Sequence, residues 1–538
     1  MSTFGEQIKV ARPTGEEVAS RRWVYVPYDR LTTAVGPLAG AHPRDLGLVF
    51  VESAAKATRR PYHKKKLALL LSNERHFALE QAARGFRIVY LAGEHGIGEA
   101  LVAGCRAAGI PRLLTMRPAE RELRHDLDAA RIAGLAIDEV DDPTWLTSPT
   151  DLAAAKQANG VYRMDAFYRH VRARTGILMQ RGKPIGGKLS HDAENRRPWR
   201  GERPVPTRPQ FAPDAITREV LELVERRFPD HFGSLAGFDL PTSAADAAQV
   251  WQFARRELLP HFGPWEDAMS SAHPDLFHTR VSALVNISRL LPADLVADAA
   301  TDFATGALAI ASAEGFIRQL LGWREYVRHI HAVTDGFRTN GMAGTPNALG
   351  APHPLPPAYW GTPSGMNCLD TVVRQVVDDG YSHHITRLMV LSNIATLAGV
   401  TPRALTDWFW FGYIDAYDWV VEPNVLGMAT YGDGGQMTTK PYVSGAAYIN
   451  KMSDYCKGCA LDPRRALGEG ACPITAMYWR FIDRHQARFA TDPRMVMPVR
   501  ALRAKSESDR RALTLHAEAA IDTLLRGEMI AGQRTLLR

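Results

Sequence analysis

Cysteine is scarce, with five in 538 residues. That number does not make a disulfide framework, and it points to a reducing compartment. No run of about 18 apolar residues is present, so no membrane-spanning helix is expected. The first 22 residues hold no apolar core of the kind a secretory signal carries. The default expectation is a cytoplasmic protein with no membrane partner. No G-x-G-x-x-G run follows the first predicted strand, and His95-Gly96-Ile97-Gly98 is too weak to count, which leaves a nicotinamide cofactor without support. Charge of one sign is also missing in excess: the formal net charge is +7 and the isoelectric point about 9.1. This mild basicity permits a nucleic-acid partner without demanding one.

Four of the five cysteines gather in the C-terminal third. Cys456 and Cys459 form a C-x-x-C pair, Cys472 follows with Pro473 behind it, and Cys368 stands upstream. Cys105 is far from all of them. Thiolates are soft ligands, and four of them can enclose a tetrahedral zinc ion or an iron–sulfur cube. The spacing alone does not separate the two. The plainer alternative is a set of ordinary buried thiols.

A chain of this length accommodates two or three domains. Residues 1–22 read as a loose polar extension. From 23 to 140, short apolar strands (23–29, 46–51, 86–91 and 111–116) alternate with helical periodicity (64–83, 99–108 and 120–133), which predicts a parallel α/β domain covered on both faces. Ligands of such sheets sit beyond the carboxyl ends of the strands, where Asp29 and Glu52 fall; helix capping or solvation would equally account for acids there. Seven prolines break up residues 141–210, which read as an interdomain connection with one helical piece near 164–174. Residues 211–505 read as a predominantly α-helical domain, and 506–538 as a helical extension.

Several pieces of the helical region resemble the cryptochrome/photolyase family, and within it the bacterial iron–sulfur branch, the prokaryotic (6-4) photolyases. They are Glu314-Gly315-Phe316-Ile317-Arg318-Gln319-Leu320-Leu321-Gly322-Trp323-Arg324-Glu325-Tyr326, Tyr381-Ser382-His383-His384-Ile385-Thr386-Arg387-Leu388-Met389, and the run from Gly412 to Met428. Gly186-Gly187-Lys188, Asn195-Arg196 and Lys440-Pro441-Tyr442 look like the same branch, as do the cysteine spacings. The resemblance implies an α/β antenna domain joined to a large all-α FAD-binding domain, and light-driven repair of (6-4) photoproducts in UV-damaged DNA by a monomer. A blue-light sensor with the same fold is the alternative it leaves. His383, His384 and Tyr442 favour repair.

The resemblance also implies site residues. Thr279, Arg280 and Ser282 are expected near the FAD phosphates, with Gln319, Trp323 and Arg324 on the next helix, and Asn393 and Asp415 toward the isoalloxazine. His384 is expected to meet the lesion, supported by His383, with Tyr442 in the cavity; Lys440, Lys451, Arg464 and Arg465 are candidates for DNA phosphates. A [4Fe–4S] cluster is expected on Cys368, Cys456, Cys459 and Cys472. Trp408 and Trp360 match positions of the branch's electron route, while Phe409 stands where some members have a redox-active tyrosine. Asp29 and Glu52 match places used for an antenna, 6,7-dimethyl-8-ribityllumazine. Three departures stand out: Tyr28 and Arg30 in the first loop, Ser288 where the family carries glycine, and Val420-Val421-Glu422, which displaces an acid expected near the flavin.

Overall fold

The computed structural model describes residues 3–158, 160–339 and 345–530. Its first domain is organised by five parallel strands, β1 (Arg22–Tyr25), β2 (Leu46–Ser53), β3 (Arg87–Gly93), β4 (Arg112–Met116) and β5 (Ala136–Val140), in the order β3-β2-β1-β4-β5. Along β2, Leu48 and Phe50 enter one apolar cluster while Val49 and Val51 enter another on the opposite face. Alternate side chains of a strand point to opposite faces, so an unbroken apolar run is what a sheet covered on both sides requires. All four are at most 3% exposed, and each such burial contributes about 1.5–3 kcal/mol. Trp23 packs over Gly47, its pairing partner, where a Cβ would lie 2.5 Å from the indole.

The first residues are ordered rather than loose. Thr3–Lys9 (α1) and Gly15–Ser20 (α2) are helices, the second closed by a capping box at Thr14 and Glu17. Phe4 and Ile8, one turn apart, are buried in the cluster that covers the sheet, and Phe4 lies edge-on to Tyr90 at 4.6 Å. Two apolar residues at helical spacing sufficed to dock a polar segment.

The second helix-rich domain follows a connection with two helical pieces, Pro149–Ala154 and Met164–Thr175. In that connection Arg172 is fully buried and donates to the carbonyls of Ile177, Leu178 and Leu189, while Asn195 donates to Glu266 at 2.7 Å. A Cβ on Gly315 would sit 2.8 Å from the Asn195 amide, so a glycine there lets the connection lie against its helix. The domains are joined by His63 and the lysines after it. His63 approaches the Val377 carbonyl at 3.0 Å, and Lys66 donates to the Trp410 and Ala416 carbonyls. Burial pushes Lys66 down to about 7. Among the described residues, no helix is long and apolar enough to cross a membrane.

Candidate active site

A cavity of about 1020 Å³ opens in the helical domain. Three of its walls are π-helical stretches set within longer helices: Arg318–Arg324, Arg387–Ser392 and Glu422–Ala429. A π-turn rotates the following side chains relative to an α-helix, and such turns concentrate at functional sites. They account for Gln319, Trp323, Arg324, Arg387 and Met428 facing one space.

Thr279, Arg280 and Ser282 line the same cavity. Arg280 takes a left-handed conformation, φ +53°, unusual for a residue with a Cβ. It is held there by Asp275 at 2.8 Å and by stacking over Tyr381. Ser282 donates to Asp415 at 2.6 Å, and Arg387 grips the same carboxylate with both amino groups, at 3.0 and 2.9 Å. Burial opposes ionisation of Asp415, but the Arg387 charge and these hydrogen bonds outweigh it and hold the carboxyl below its usual range. Gln319 donates to Glu266 at 2.8 Å. Arg324 lies over Trp145, its NH1 3.1 Å from Glu325, and its Nε is buried without a partner. Burial lowers its pKa to about 10, with Glu325 opposing. Arg318 is ion-paired instead, with Glu314 at 3.3 Å, Asp192 at 3.6 Å and Glu266 at 3.7 Å. An unmade donor in a buried wall, as on Arg324, is costly, and a bound anion would satisfy it.

Asn393 lies outside this wall. Its amide donates to the Ser444 carbonyl at 3.0 Å and accepts from the Ser444 N–H at 2.9 Å, fixing the segment that carries Tyr442. Glu422 also turns away, engaged by His331, Arg338 and Arg403. Burial works against its charge, yet these partners hold it at about 2.

The histidines sit at the start of a short helix. His383 is its N-cap and His384 its first residue. His383 is buried, with both ring nitrogens unpartnered. His384 lines the cavity with its side chain 44% exposed and its Nε2 3.7 Å from Asp267. His278 completes the group: among the described residues these are the histidines, cysteines and acids that assemble three ligand atoms within 4.8 Å of one another. Tyr442 lines the cavity beside Lys440, Arg196, Arg494 and Tyr448; burial raises the Tyr442 hydroxyl above its ordinary value. Sequence reasoning missed His278, Asp267 and Arg387 as wall residues, although Arg387 lies inside a stretch already singled out.

Cys368, Cys456, Cys459 and Cys472 line one small separate cavity with Tyr455 and Leu461. No three of their sulfurs come within 4.8 Å of one another. Burial raises the Cys456 and Cys472 thiols to about 11 and about 12. Cys105 is buried in the α/β core instead.

A further cavity, of about 550 Å³, lies on the seam between the domains, beyond the ends of β2 and β3. Glu52 lines it, held by Arg75 at 2.8 and 3.0 Å and by the Tyr90 hydroxyl. Asp29 does not line it: fully buried, it faces Arg30 at 3.1 Å, with burial pushing its carboxyl up and Arg30 opposing. Its main-chain carbonyl accepts from Ser288 at 3.0 Å, and Ser288 is left-handed, φ +61°. The serine hydroxyl thus gains a bond at a position whose backbone suits glycine. Tyr28 faces the cavity and donates to Glu120. From Phe409, in the wall of the larger cavity, aromatic rings run through Trp408 (5.2 Å) and Phe232 (6.3 Å) to the half-exposed Trp360 (5.9 Å).

The sequence model described as "Deoxyribodipyrimidine photo-lyase-related protein" matches residues 24–240. A (6-4) photolyase of Agrobacterium fabrum is 35% identical over 502 residues, spanning 92% of this chain and 98% of that protein. Two solved structures share the fold. A bacterial class III photolyase from Agrobacterium tumefaciens matches with TM-score 0.54 and 16% identity, over 94% of this chain and 98% of its own. A Synechocystis cryptochrome matches with TM-score 0.52 and 15% identity, over 76% and 82%. A relative 35% identical along nearly its whole length, on a parallel sheet followed by a helical domain with a deep cavity, settles the family: the chain belongs to the cryptochrome/photolyase family, among its bacterial (6-4) photolyases.

Proposed function

We infer that the protein reverses (6-4) pyrimidine–pyrimidone crosslinks in DNA by blue light. The observation that carries this is His384, half-exposed in the wall of the large cavity beside Tyr442, in a chain 35% identical to a (6-4) photolyase. A crosslinked base leaves the duplex cheaply because it pairs poorly. Lys440, Arg196 and Arg494 are the basic groups placed to hold flanking phosphates. Tyr442 offers a ring to stack on the extruded base and a hydroxyl that stays protonated. His384 holds a proton toward the lesion, near the hydroxyl that must return to its own base, and an imidazole does this near neutral pH.

The larger cavity is assigned to FAD. Arg324 carries an unmade donor that a pyrophosphate would take, and Thr279, Arg280, Ser282, Gln319 and Trp323 share the wall. Reduced flavin, when bound, supplies an electron on excitation and receives it back, so repair has no net redox change.

The four-cysteine cavity is assigned to a [4Fe–4S] cluster. What supports it is the C-x-x-C pair and the lining of one cavity by all four thiols. The cluster would tie the helix Asn367–Asp379, which carries Cys368, to the segment holding the other three, and so contributes folding energy. The seam cavity is assigned to a ribityl-bearing antenna held by Glu52, its partner Arg75, and Glu74, whose Oε1 is buried and unpartnered.

Reduced protein under blue light should convert a (6-4) oligonucleotide to normal bases, and His384→Ala should lose about 10²-fold or more. No repair by the intact, flavin-loaded protein overturns the assignment in favour of a light sensor. Iron and sulfide are expected on assay; zinc without iron contradicts the cluster.

A further inference from the structure

The seam cavity is built by both domains. The helix Lys64–Ala83 lends it Glu74 and Arg75, and the helix Ala215–Arg227 lends it Glu219 and Glu222. Arg75 spans the two. Its Nε and NH2 donate to Glu52 at 3.0 and 2.8 Å, and its NH1 donates to Glu219 at 2.9 Å. All three guanidinium nitrogens are thus spent on two carboxylates, one from each domain. Buried charge groups of this kind offset their desolvation only when their geometry is held closely.

Behind this wall stands Phe4 of α1. Its ring lies 5.0 Å from the guanidinium carbon of Arg75 and edge-on to Tyr90 at 4.6 Å, while its main-chain N–H donates to the second oxygen of Glu219 at 3.2 Å. Tyr90 in turn donates to Glu52 at 3.0 Å. The contacts close on themselves: Phe4 to Glu219, Glu219 to Arg75, Arg75 to Glu52, Glu52 to Tyr90, and Tyr90 back to Phe4. Phe4 is buried, and it does not line the cavity. An aromatic face attracts a guanidinium, the more so where water is excluded. A carboxylate accepts about four hydrogen bonds. Glu52 takes three in this circuit and Glu219 two, which leaves acceptor sites on both for the hydroxyls of a polyol guest.

We propose that Phe4 is a positioning residue for the seam cavity: the N-terminal helix closes the circuit that holds Glu52, Arg75 and Glu219 in place for a ribityl-bearing antenna. The proposal rests on the antenna reading of that cavity. It gives the docked helix α1 a task in binding, although no side chain of α1 lines the cavity.

The test is the affinity of the full-length, flavin-loaded protein for 6,7-dimethyl-8-ribityllumazine, titrated after dialysis and followed by lumazine fluorescence. Phe4→Leu keeps an apolar side chain in the cluster and removes the ring from Arg75. Ile8→Ala loosens the same helix, since Ile8 is buried in the same cluster, and leaves the circuit whole. Phe4→Leu should bind lumazine about threefold to tenfold more weakly, the worth of a partly desolvated cation–π contact, with flavin content unchanged. Ile8→Ala should stay close to the parent's affinity. Unchanged affinity in Phe4→Leu overturns the proposal. Equal weakening in the two variants overturns it as well, because the helix would then act only by being docked. Should Phe4→Leu not fold, Phe4→Met carries the same expectation. A parent that binds no lumazine defeats the antenna reading, and the proposal with it.

Discussion

The two large cavities differ in what their walls have left over. On the seam between the domains, burial pushes the Glu74 carboxyl well up, and the unpartnered atom is the Glu74 Oε1. In the helical domain the unpartnered wall atoms include a guanidinium donor, Arg324 Nε, along with the Tyr168 and Ser444 hydroxyls and His278 Nε2. A carboxyl whose charge burial disfavours suits a hydroxyl-rich, uncharged guest, whereas an unmade guanidinium donor suits an anion. On the assignments proposed above, hydrogen-bond complement is what separates an antenna from a flavin, in cavities that both carry apolar and aromatic wall.

The contrast can be broken at either end. Arg324→Met deletes a guanidinium whose Nε is unpaired, along with its bond to Glu325, and should weaken flavin retention about tenfold to a hundredfold, the range of a charged hydrogen bond of about 1.5–3 kcal/mol. Released flavin measures this, while the antenna's absorbance should persist. Equal loss of both chromophores would mean the two walls are not independent. Glu52→Ala leaves Arg75 with one fewer partner and should weaken antenna binding about tenfold with flavin unchanged, read by fluorescence of the purified protein. The smallest effect tests the seam. Burial lowers His63 from 6.5 to about 4. Between those values the unfolded chain binds the proton that the folded one refuses, so stability falls as pH drops through that window. His63→Gln should recover on the order of 1 kcal/mol at pH 5 relative to its effect at pH 8, measured by denaturant unfolding. A pH-independent difference would remove His63 from the account.

Much of this was legible beforehand, and the exceptions have physical reasons. The buried strand β2 announces itself because both of its faces are apolar. The edge strand β5 went unread because its last three residues are exposed and two of them, Asp138 and Glu139, are acids. Helical periodicity over 369–379 and 402–411 marks the helices Asn367–Asp379 and Pro402–Gly412, but no periodicity marks where an α-helix widens to a π-turn, and those turns aim the cavity wall. Asn393 is buried as its apolar neighbours suggested, yet its amide is spent on Ser444, a partner remote in sequence. Asp29 and Glu52 both follow strands; which one reaches the seam cavity depends on Arg30 and Arg75, whose directions only the packed structure reveals. His278 stands more than a hundred residues before His384, and nothing in the sequence brings the two rings together.

The most direct measurement presents two lesions to the same reduced, flavin-loaded protein. Oligonucleotides carrying a (6-4) photoproduct and a cyclobutane dimer are illuminated in blue light in parallel and their products separated. The account predicts reversal of the (6-4) lesion, none in the dark, and an untouched cyclobutane dimer. Reversal of the cyclobutane dimer, or of neither lesion, would contradict it.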